Sequence, residues 1–108
     1  MRLDRDNRMK LIQFYSPQSQ LTYSGSRYSG LKEIEEKIES LSYNTIAFAD
    51  MKRDVQNGPG SLVVFVNGYL QMDGSDSFAF SQVFNICPNG NGGYYIHNDL
   101  FTIINPLN

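Results

Sequence analysis

The sequence contains little of what secreted, membrane-spanning or nucleic-acid-binding proteins require. Its one cysteine, Cys87, cannot form an internal disulfide, whereas small secreted domains usually depend on several. No apolar run approaches the roughly 20 residues of a membrane-spanning helix, and the charged N-terminal segment lacks the apolar core of a signal peptide. Nine Lys and Arg against 11 Asp and Glu leave a net charge of −2, without the basic excess typical of nucleic-acid binding. We therefore expect a protein of the cytoplasm or nucleus, with neither a membrane nor a nucleic acid as its partner.

Signatures of metal and phosphate binding are also missing. A lone cysteine does not make a zinc site, and the glycines at 58, 60 and 90–93 belong to turns without the strand–loop–helix setting of a phosphate loop. We expect no metal and no cofactor. The chain has no Trp, so seven Phe and seven Tyr must supply most of the large packing surfaces. Its 108 residues predict one domain that spans residues 1–108.

Helical spacing occurs twice in the first half of the sequence. Met9, Leu11, Ile12 and Tyr15 can form one face of a short helix, which Pro17 ends. Residues 20–24 and 26–29 then have the character of two short strands separated by a glycine.

The clearest helix covers residues 30–41, with Ser29 as its N-cap. Its apolar positions recur at intervals of three, four and three residues, which is typical of one buried face. They are Leu31, Ile34, Ile38 and Leu41. The charged positions between them predict a face in contact with solvent.

After residue 43 the period of apolar residues changes to two, beginning with Ile46 and Phe48 and continuing through Asp50. Turn signals at residues 57–60, 73–76 and 88–93 separate four long strands, which predicts an antiparallel meander. Helices first and sheet last favour an α+β fold. Several strands are apolar on both faces, and because the helices can cover only one of them, we expect a homodimer that covers the other.

Several segments resemble the nuclear transport factor 2 family, in the family's order and at compatible spacings. Residues 20–23 (QLTY), followed by Gly30, are similar to the start of the family stretch S-x-L-T-[WF]-E-G…G, and residues 34–43 (IEEKIESLSY) to I-x-x-K-[LI]-x-S-L-P-F. Residues 62–70 (LVVFVNGYL), 80–84 (FSQVF) and 94–101 (YYIHNDLF) resemble V-x-V-x-G-x-L, F-S-Q-x-F and Y-Y-V-x-N-D-I-F. The ordered set is typical of the branch of the family that carries Ran.

The resemblance implies an α+β, cone-like fold, also described as cystatin-like, in which a bent antiparallel meander packs on helices. It implies a homodimer that carries Ran in its GDP form and binds Phe-Gly repeat nucleoporins at the nuclear pore, moving between cytoplasm and nucleus. The protein is then not an enzyme. The long first helix of the family has no counterpart here, so the domain is expected to be short at its N-terminus.

The resemblance also implies contact residues for Ran. In the family an aromatic side chain of Ran enters an apolar cavity, and acids at its rim take basic side chains of Ran. The cavity mouth would then consist of Tyr23, Phe78, Leu100 and Phe101, with Leu41 and Ile46 deeper. Asp73 would be the rim acid, Asp76 would lie close to the second family acid, and Ser24 replaces a glutamate of the family.

Two other functions remain open on the sequence. A non-catalytic scaffold or heterodimer module of the same fold, in messenger-RNA export or stress granules, is favoured by Ser24. An isomerase or dehydratase of the cone fold would need a cavity base and its partner, and His97 and Asp99 alternate onto one strand face. The interpretation we prefer for Asp99 is a buried structural carboxylate paired with donors, because a buried unpaired acid is costly.

Overall fold

Most of the chain forms one open sheet of seven strands, in a computed structural model that describes residues 2–104. The strands are β1 (Arg2–Asp4), β2 (Tyr15–Tyr23), β3 (Ser26–Ser29), β4 (Thr45–Gly58), β5 (Ser61–Met72), β6 (Ser77–Pro88) and β7 (Tyr94–Ile104). Their spatial order is β1-β4-β5-β6-β7-β2-β3, and neighbours are antiparallel except for the parallel pair β2 and β7. The helical elements are α1 (Arg5–Met9), a 3₁₀ helix (Lys10–Phe14) and α2 (Gly30–Ser40). The α+β class and the meander, β4 to β7, are confirmed.

Helix α2 packs on β2 through its predicted apolar stripe. Ile34 and Ile38 are buried against Leu21 of that strand. Ser29 occupies the N-cap position as predicted, but its side chain makes no capping hydrogen bond. The Ser29 backbone N–H instead donates to Oε1 of Glu33 at 2.9 Å, so the first turn is closed by the glutamate.

The first predicted helix is also confirmed, although it is divided and ends earlier. An α-helical turn gives way to a 3₁₀ helix that ends at Phe14, and Tyr15 already begins β2. The proline at position 17 therefore lies within the strand, three residues beyond the last helical residue. In residues 2–104 no helix combines the length and the apolar character needed to cross a membrane.

The main core lies on one face of the meander, which we call the inner face. Its buried members come from four of the strands and are Ile46, Val66, Leu70, Phe80 and Phe101. Phe80 stacks on Phe101 with ring centroids 5.6 Å apart and meets Phe48 edge-on, also at 5.6 Å. Aromatic pairs at these distances add to the free energy gained from burial of apolar surface. Phe80 is thus the buried member of the core on β6, and Phe78 and Phe84 pack against it partly buried.

A β-bulge interrupts β4 and corrects the predicted alternation through Asp50. Ala49 pairs with Tyr69 and Lys52 with Asn67, so two residues of β4 lie opposite Gly68 alone. Asp50 adopts a left-handed conformation with φ of 54°. Bulges bend a strand and increase its twist, so this one helps to curve the sheet around the helices.

The opposite side of the meander, which we call the outer face, is apolar and exposed. Cross-strand register places Phe65 of β5 beside Val83 of β6 and Leu100 of β7, and it places Tyr69 in line with Ile104. Leu100 is 49% exposed. The prediction of a sheet that is apolar on both faces is confirmed, and the helices of the described chain cover only the inner one.

Candidate functional site

A cavity of about 120 Å³ lies between the helices and the inner face of the sheet. Strands β2, β4, β6 and β7 contribute to it, as do α2 and the segment that follows α2. Its aliphatic and phenylalanine lining consists of Leu11, Leu21, Ile38, Leu41, Ile46, Phe48 and Phe101. A mainly apolar cavity with a few convergent polar groups is the usual form of a binding site.

Asp99 is the acid of this cavity and is 3% exposed. The Tyr15 hydroxyl donates to its Oδ2 at 2.6 Å, and Nε2 of Gln82 donates to its Oδ1 at 2.8 Å. Burial raises the pKa of Asp99 above its ordinary value, although both hydrogen bonds act in the opposite direction. Burial and the nearby Asp99 also raise the pKa of Tyr15, which keeps its hydroxyl a donor. The sequence interpretation of Asp99 as a buried carboxylate paired with donors is confirmed.

Arg8 also lines the cavity and is buried, with 2% of its surface exposed. Its Nη1 donates to the carbonyl of Tyr43, and its Nη2 donates to the carbonyl of Leu41 at 2.8 Å. The guanidinium carbon also lies 4.3 Å from the centroid of the Tyr43 ring. These contacts fix the segment after α2, which forms part of the cavity wall. The sequence analysis missed Arg8, although its spacing to Leu11 and Tyr15 places it on the apolar face of the first helical segment.

Lys37 lines the cavity from helix α2. Its Nζ lies 4.6 Å from the ring centroid of Tyr23 and 5.5 Å from that of Tyr28, within cation–π range. The Tyr23 ring in turn stacks on Phe101 at 5.0 Å. The prediction that the charged positions of α2 all face solvent therefore holds only in part for Lys37, which is half-buried and lines both this cavity and an open groove beside Tyr28 and Glu33.

Asp73 begins the turn between β5 and β6 and supports the cavity wall from outside. Its Oδ1 accepts hydrogen bonds from the backbone N–H groups of Asn44 and Thr45, both at 2.9 Å. The hydrogen bond from Thr45 is the largest influence that lowers the pKa of Asp73. Asp73 has φ of 51°, a left-handed conformation that Asp tolerates better than most residues. Arg8 thus binds backbone carbonyls of the segment that follows α2, and Asp73 binds backbone amides at the end of the same segment.

The structure brings together four of the nine predicted contact residues. Those that line the cavity are Tyr23, Leu41, Ile46 and Phe101. Phe78 and Ser24 line a separate shallow depression, together with Met72 and Ile103. Asp73 and Asp76 are exposed in the β5–β6 region.

Leu100 does not line the cavity. It follows Asp99 on an extended strand, so its side chain lies on the outer face while its neighbours at 99 and 101 face inward.

His97 and Asp99 do not form the pair that the enzyme alternative requires. Ile96 pairs with Ile86 and Asn98 with Asn85, so His97 is the extra residue of a bulge and breaks the simple alternation. Its Nδ1 lies 3.3 Å from the Tyr95 hydroxyl. Among residues 2–104, no group of three or more His, Cys, Asp or Glu side chains is placed to hold a metal ion.

A bent sheet packed on helices around one mainly apolar cavity defines the class of cone-shaped α+β folds. Residues 2–103 match the nuclear transport factor 2 (NTF2) domain, and the chain belongs to the nuclear transport factor 2 family. The resemblance inferred from the sequence motifs is confirmed.

Relatives of this chain are nuclear transport factors. It is 37% identical over 100 residues to nuclear transport factor 2 of Debaryomyces hansenii, covering 90% of this chain and 80% of that protein. It is 35% identical to nuclear transport factor 2B of Arabidopsis thaliana, covering 90% and 79%. The solved structure of Ntf2 from Cryptosporidium parvum superposes with a TM-score of 0.87 at 39% identity, covering 91% of this chain and 80% of that one. These similarities support a role in nuclear transport and a non-enzymatic protein.

The fold alone is shared more widely. A ketosteroid isomerase-like protein from Erwinia carotovora atroseptica superposes with a TM-score of 0.67 at 19% identity, covering 94% of this chain and 86% of that one. At that identity the likeness concerns architecture and carries no activity to this chain.

Proposed function

We propose that this protein is a carrier that binds Ran in its GDP form, contacts Phe-Gly repeat nucleoporins at the nuclear pore, and moves between cytoplasm and nucleus. The observation that carries the proposal is the cavity, whose wall includes Tyr23, Ile46 and Phe101. The family resemblance assigns this place to an aromatic side chain of Ran. We further propose that the carrier is a homodimer joined through the outer face.

The size and lining of the cavity support an aromatic anchor. An apolar cavity of about 150 Å³ in another protein takes up benzene, and the cavity here measures about 120 Å³. The two volumes are similar, which supports a single aromatic ring as the anchor. Aromatic side chains that enter such desolvated pockets usually dominate the affinity of an interface.

The acids of the β5–β6 region would meet basic side chains of the partner. Asp73 and Asp76 are both exposed, so their charges act through solvent and would mainly raise the association rate and select partners by charge. Ser24 contributes no such charge. It lies in the turn after β2 with φ of 46°, so we expect a weaker electrostatic contribution there than in relatives that carry glutamate.

The test is isothermal titration of the purified chain with Ran loaded with GDP, and then with GTP. We expect micromolar or tighter binding to the GDP form alone. Asp73→Asn should weaken binding while it keeps an oxygen acceptor for Asn44 and Thr45 and a residue that tolerates the left-handed conformation. Glu35→Gln is the matched control, because it removes an exposed negative charge from helix α2 at a position outside the proposed contact, and we expect it to leave binding unchanged.

Failure of a folded protein to bind either nucleotide form of Ran would contradict the carrier function. The scaffold function would then be favoured, and co-purification with a second chain of the same fold would test it. Equal affinity for Ran-GDP and Ran-GTP would also count against the proposal, because a carrier of the GDP form must release its cargo after nucleotide exchange.

A further inference from the structure

Two cationic side chains line the cavity without a carboxylate partner. Lys37 contacts the faces of two tyrosines, and Arg8 donates to two backbone carbonyls. Arg8 is close enough to Asp73 to lower its pKa, but the oxygens of Asp73 bond to backbone amides instead. Within the described residues neither cation forms an ion pair. A mainly apolar cavity thus carries positive charge that no acid neutralises by direct contact.

Arg8 has in addition an unused donor. Its Nε is buried and has no hydrogen-bond partner among the described residues. Unpaired donors of buried charged groups are rare in folded proteins, and each one requires an explanation. Because Nε has almost no accessible surface, an acceptor on a molecule bound in the cavity would satisfy it only after the Arg8 side chain shifts.

The acid of the cavity lies apart from these cations. Arg8 and Lys37 gather around Tyr23 and Tyr43, whereas Asp99 is bonded to Tyr15 and Gln82. Asp99 and Phe101 are two positions apart on β7, which corresponds to about 6.6 Å along the strand. Phe101 in turn stacks on Tyr23. The cations and the acid of the cavity thus bond to different groups, and apolar residues line the cavity together with them.

We infer that this cavity is a binding site for small aromatic carboxylates, with the ring between the apolar walls and the carboxylate against Lys37 and Arg8. The flat aromatic ring matches the apolar walls in shape. Its edge is electropositive and is therefore attracted to the carboxyl group of Asp99. The carboxylate supplies the acceptor that Nε of Arg8 lacks. The volume of about 120 Å³ favours a ligand with a single ring. This inference does not depend on Ran binding.

Three probes of nearly equal size test it, because they differ in charge. Benzoate is negative, benzamide is neutral and benzylammonium is positive, and acetate serves as an anion without a ring. Titrations followed by two-dimensional NMR should show benzoate binding about tenfold more tightly than benzamide, as expected when a charge-assisted hydrogen bond is lost. Benzylammonium and acetate should bind more weakly still.

Lys37→Met is the matched variant, since it keeps most of the side-chain length and removes the charge. It should weaken benzoate binding about tenfold and weaken benzamide binding less, because a neutral carbonyl loses a weaker hydrogen bond than a carboxylate does. Lys32→Met, on the exposed surface of the same helix, should alter neither. For Arg8, whose replacement disturbs the cavity wall, the direct measurement is the Nε–H resonance, which should shift when benzoate is added and remain in place with benzylammonium, which carries no acceptor.

The inference is overturned if benzamide binds as tightly as benzoate, or if benzylammonium binds best. Unchanged benzoate affinity in a folded Lys37→Met variant, or an Arg8 Nε–H resonance that benzoate does not move, would also overturn it. Benzoate binding by a protein that ignores Ran would refute the carrier function and leave this inference standing. Ran binding by a protein that does not bind benzoate would support the carrier function and overturn this inference.

Discussion

Asp99 is a single carboxyl group whose protonation is linked to folding. Burial raises its pKa in the folded protein above the ordinary value of 3.8. Above pH 3.8 the folded state therefore holds this proton more firmly than the unfolded state does. It follows that the contribution of Asp99 to stability falls as the pH rises from 3.8 through the folded-state pKa, and is constant at higher pH.

The variant Asp99→Asn should remove this dependence. The amide oxygen of asparagine can still accept the hydrogen bond from Tyr15, and Gln82 can turn its own amide to match the new donor. Free energies of unfolding from urea titrations between pH 4 and pH 8 should decline for the wild type in the lower part of this range and change less for the variant. Equal slopes in the two proteins would contradict the linkage. Asp73, whose pKa is lowered, loses its contribution only as the pH falls, so it does not produce the same slope.

Single residues of the site were predictable from sequence to different degrees. The burial of Asp99 followed from the apolar residues around it, because an acid in such a stretch must be paired. Lys37 was not predictable, since charged positions on an amphipathic helix normally face solvent and only the hairpin tyrosines change this. Arg8 could have been found from its spacing on the first helical segment.

At the scale of elements, the β-bulge of β4 depends on Gly68. A Cβ atom built on Gly68 would lie 3.0 Å from the carbonyl oxygen of Ala49 and 3.0 Å from the sulfur of Met51. The first of these is backbone and cannot move without displacing the strand. A glycine is therefore required at position 68, opposite the two bulged residues of β4.

Gly68→Ala should accordingly lower the free energy of unfolding by about 1–3 kcal/mol, the usual cost of overpacking. Gly58→Ala is the control, because the nearest atom to its added Cβ is the side-chain oxygen of Ser61, which can rotate away. Urea denaturation of both variants measures the difference. Equal stability of the two would show that the bulge relaxes to admit the methyl group.

The sequence predicted the elements more accurately than their irregularities. The turns after β4, β5 and β6 were marked by glycine, proline and aspartate, and these strands begin and end close to the predicted positions. The bulges at Asp50 and His97 were not predictable from alternation, because a bulge is defined by the strand opposite it. The placement of His97 failed for this reason.

On the scale of the whole molecule, the outer face is the surface that we expect to form an interface. Its exposed apolar residues lie on β5 and β7, and half-buried Val83 of β6 lies between Phe65 and Leu100 in the cross-strand register described above. Large exposed apolar patches usually mark an interface, and a two-fold axis lets one surface cover itself. The homodimer that we propose satisfies this requirement without any further segment.

Leu100→Glu should therefore convert a dimer into a monomer, because it places a charge in the middle of the outer face. Phe14→Glu is the matched control, since Phe14 is 48% exposed but lies in the 3₁₀ helix, away from that face. Light scattering coupled to size exclusion, at micromolar concentrations, gives the masses. A wild type that is monomeric, or a dimer that survives the change at Leu100, would contradict the homodimer.

At this scale the resemblance of ordered motifs predicted the architecture, and local pattern could not have predicted all of it. The meander follows from turns between neighbouring strands, but the parallel pairing of β2 with β7 joins segments from near the two ends of the described chain. No short-range pattern specifies such a pair. The cavity depends on it, because Leu21 and Tyr23 lie opposite Asp99 and Phe101 in that register.

The pairing of β2 with β7 also determines when the protein can finish folding during its synthesis. Helix α2 and strands β2 and β3 leave the ribosome before the meander, while β7, the neighbour on which β2 must dock, leaves after the other strands of the described residues. Until then Leu21, Ile34 and Ile38 have only one another and their local neighbours to pack against. Pairing across so long a stretch of chain is entropically costly and slow. The first third of the chain thus completes its fold only when the last strand has been translated.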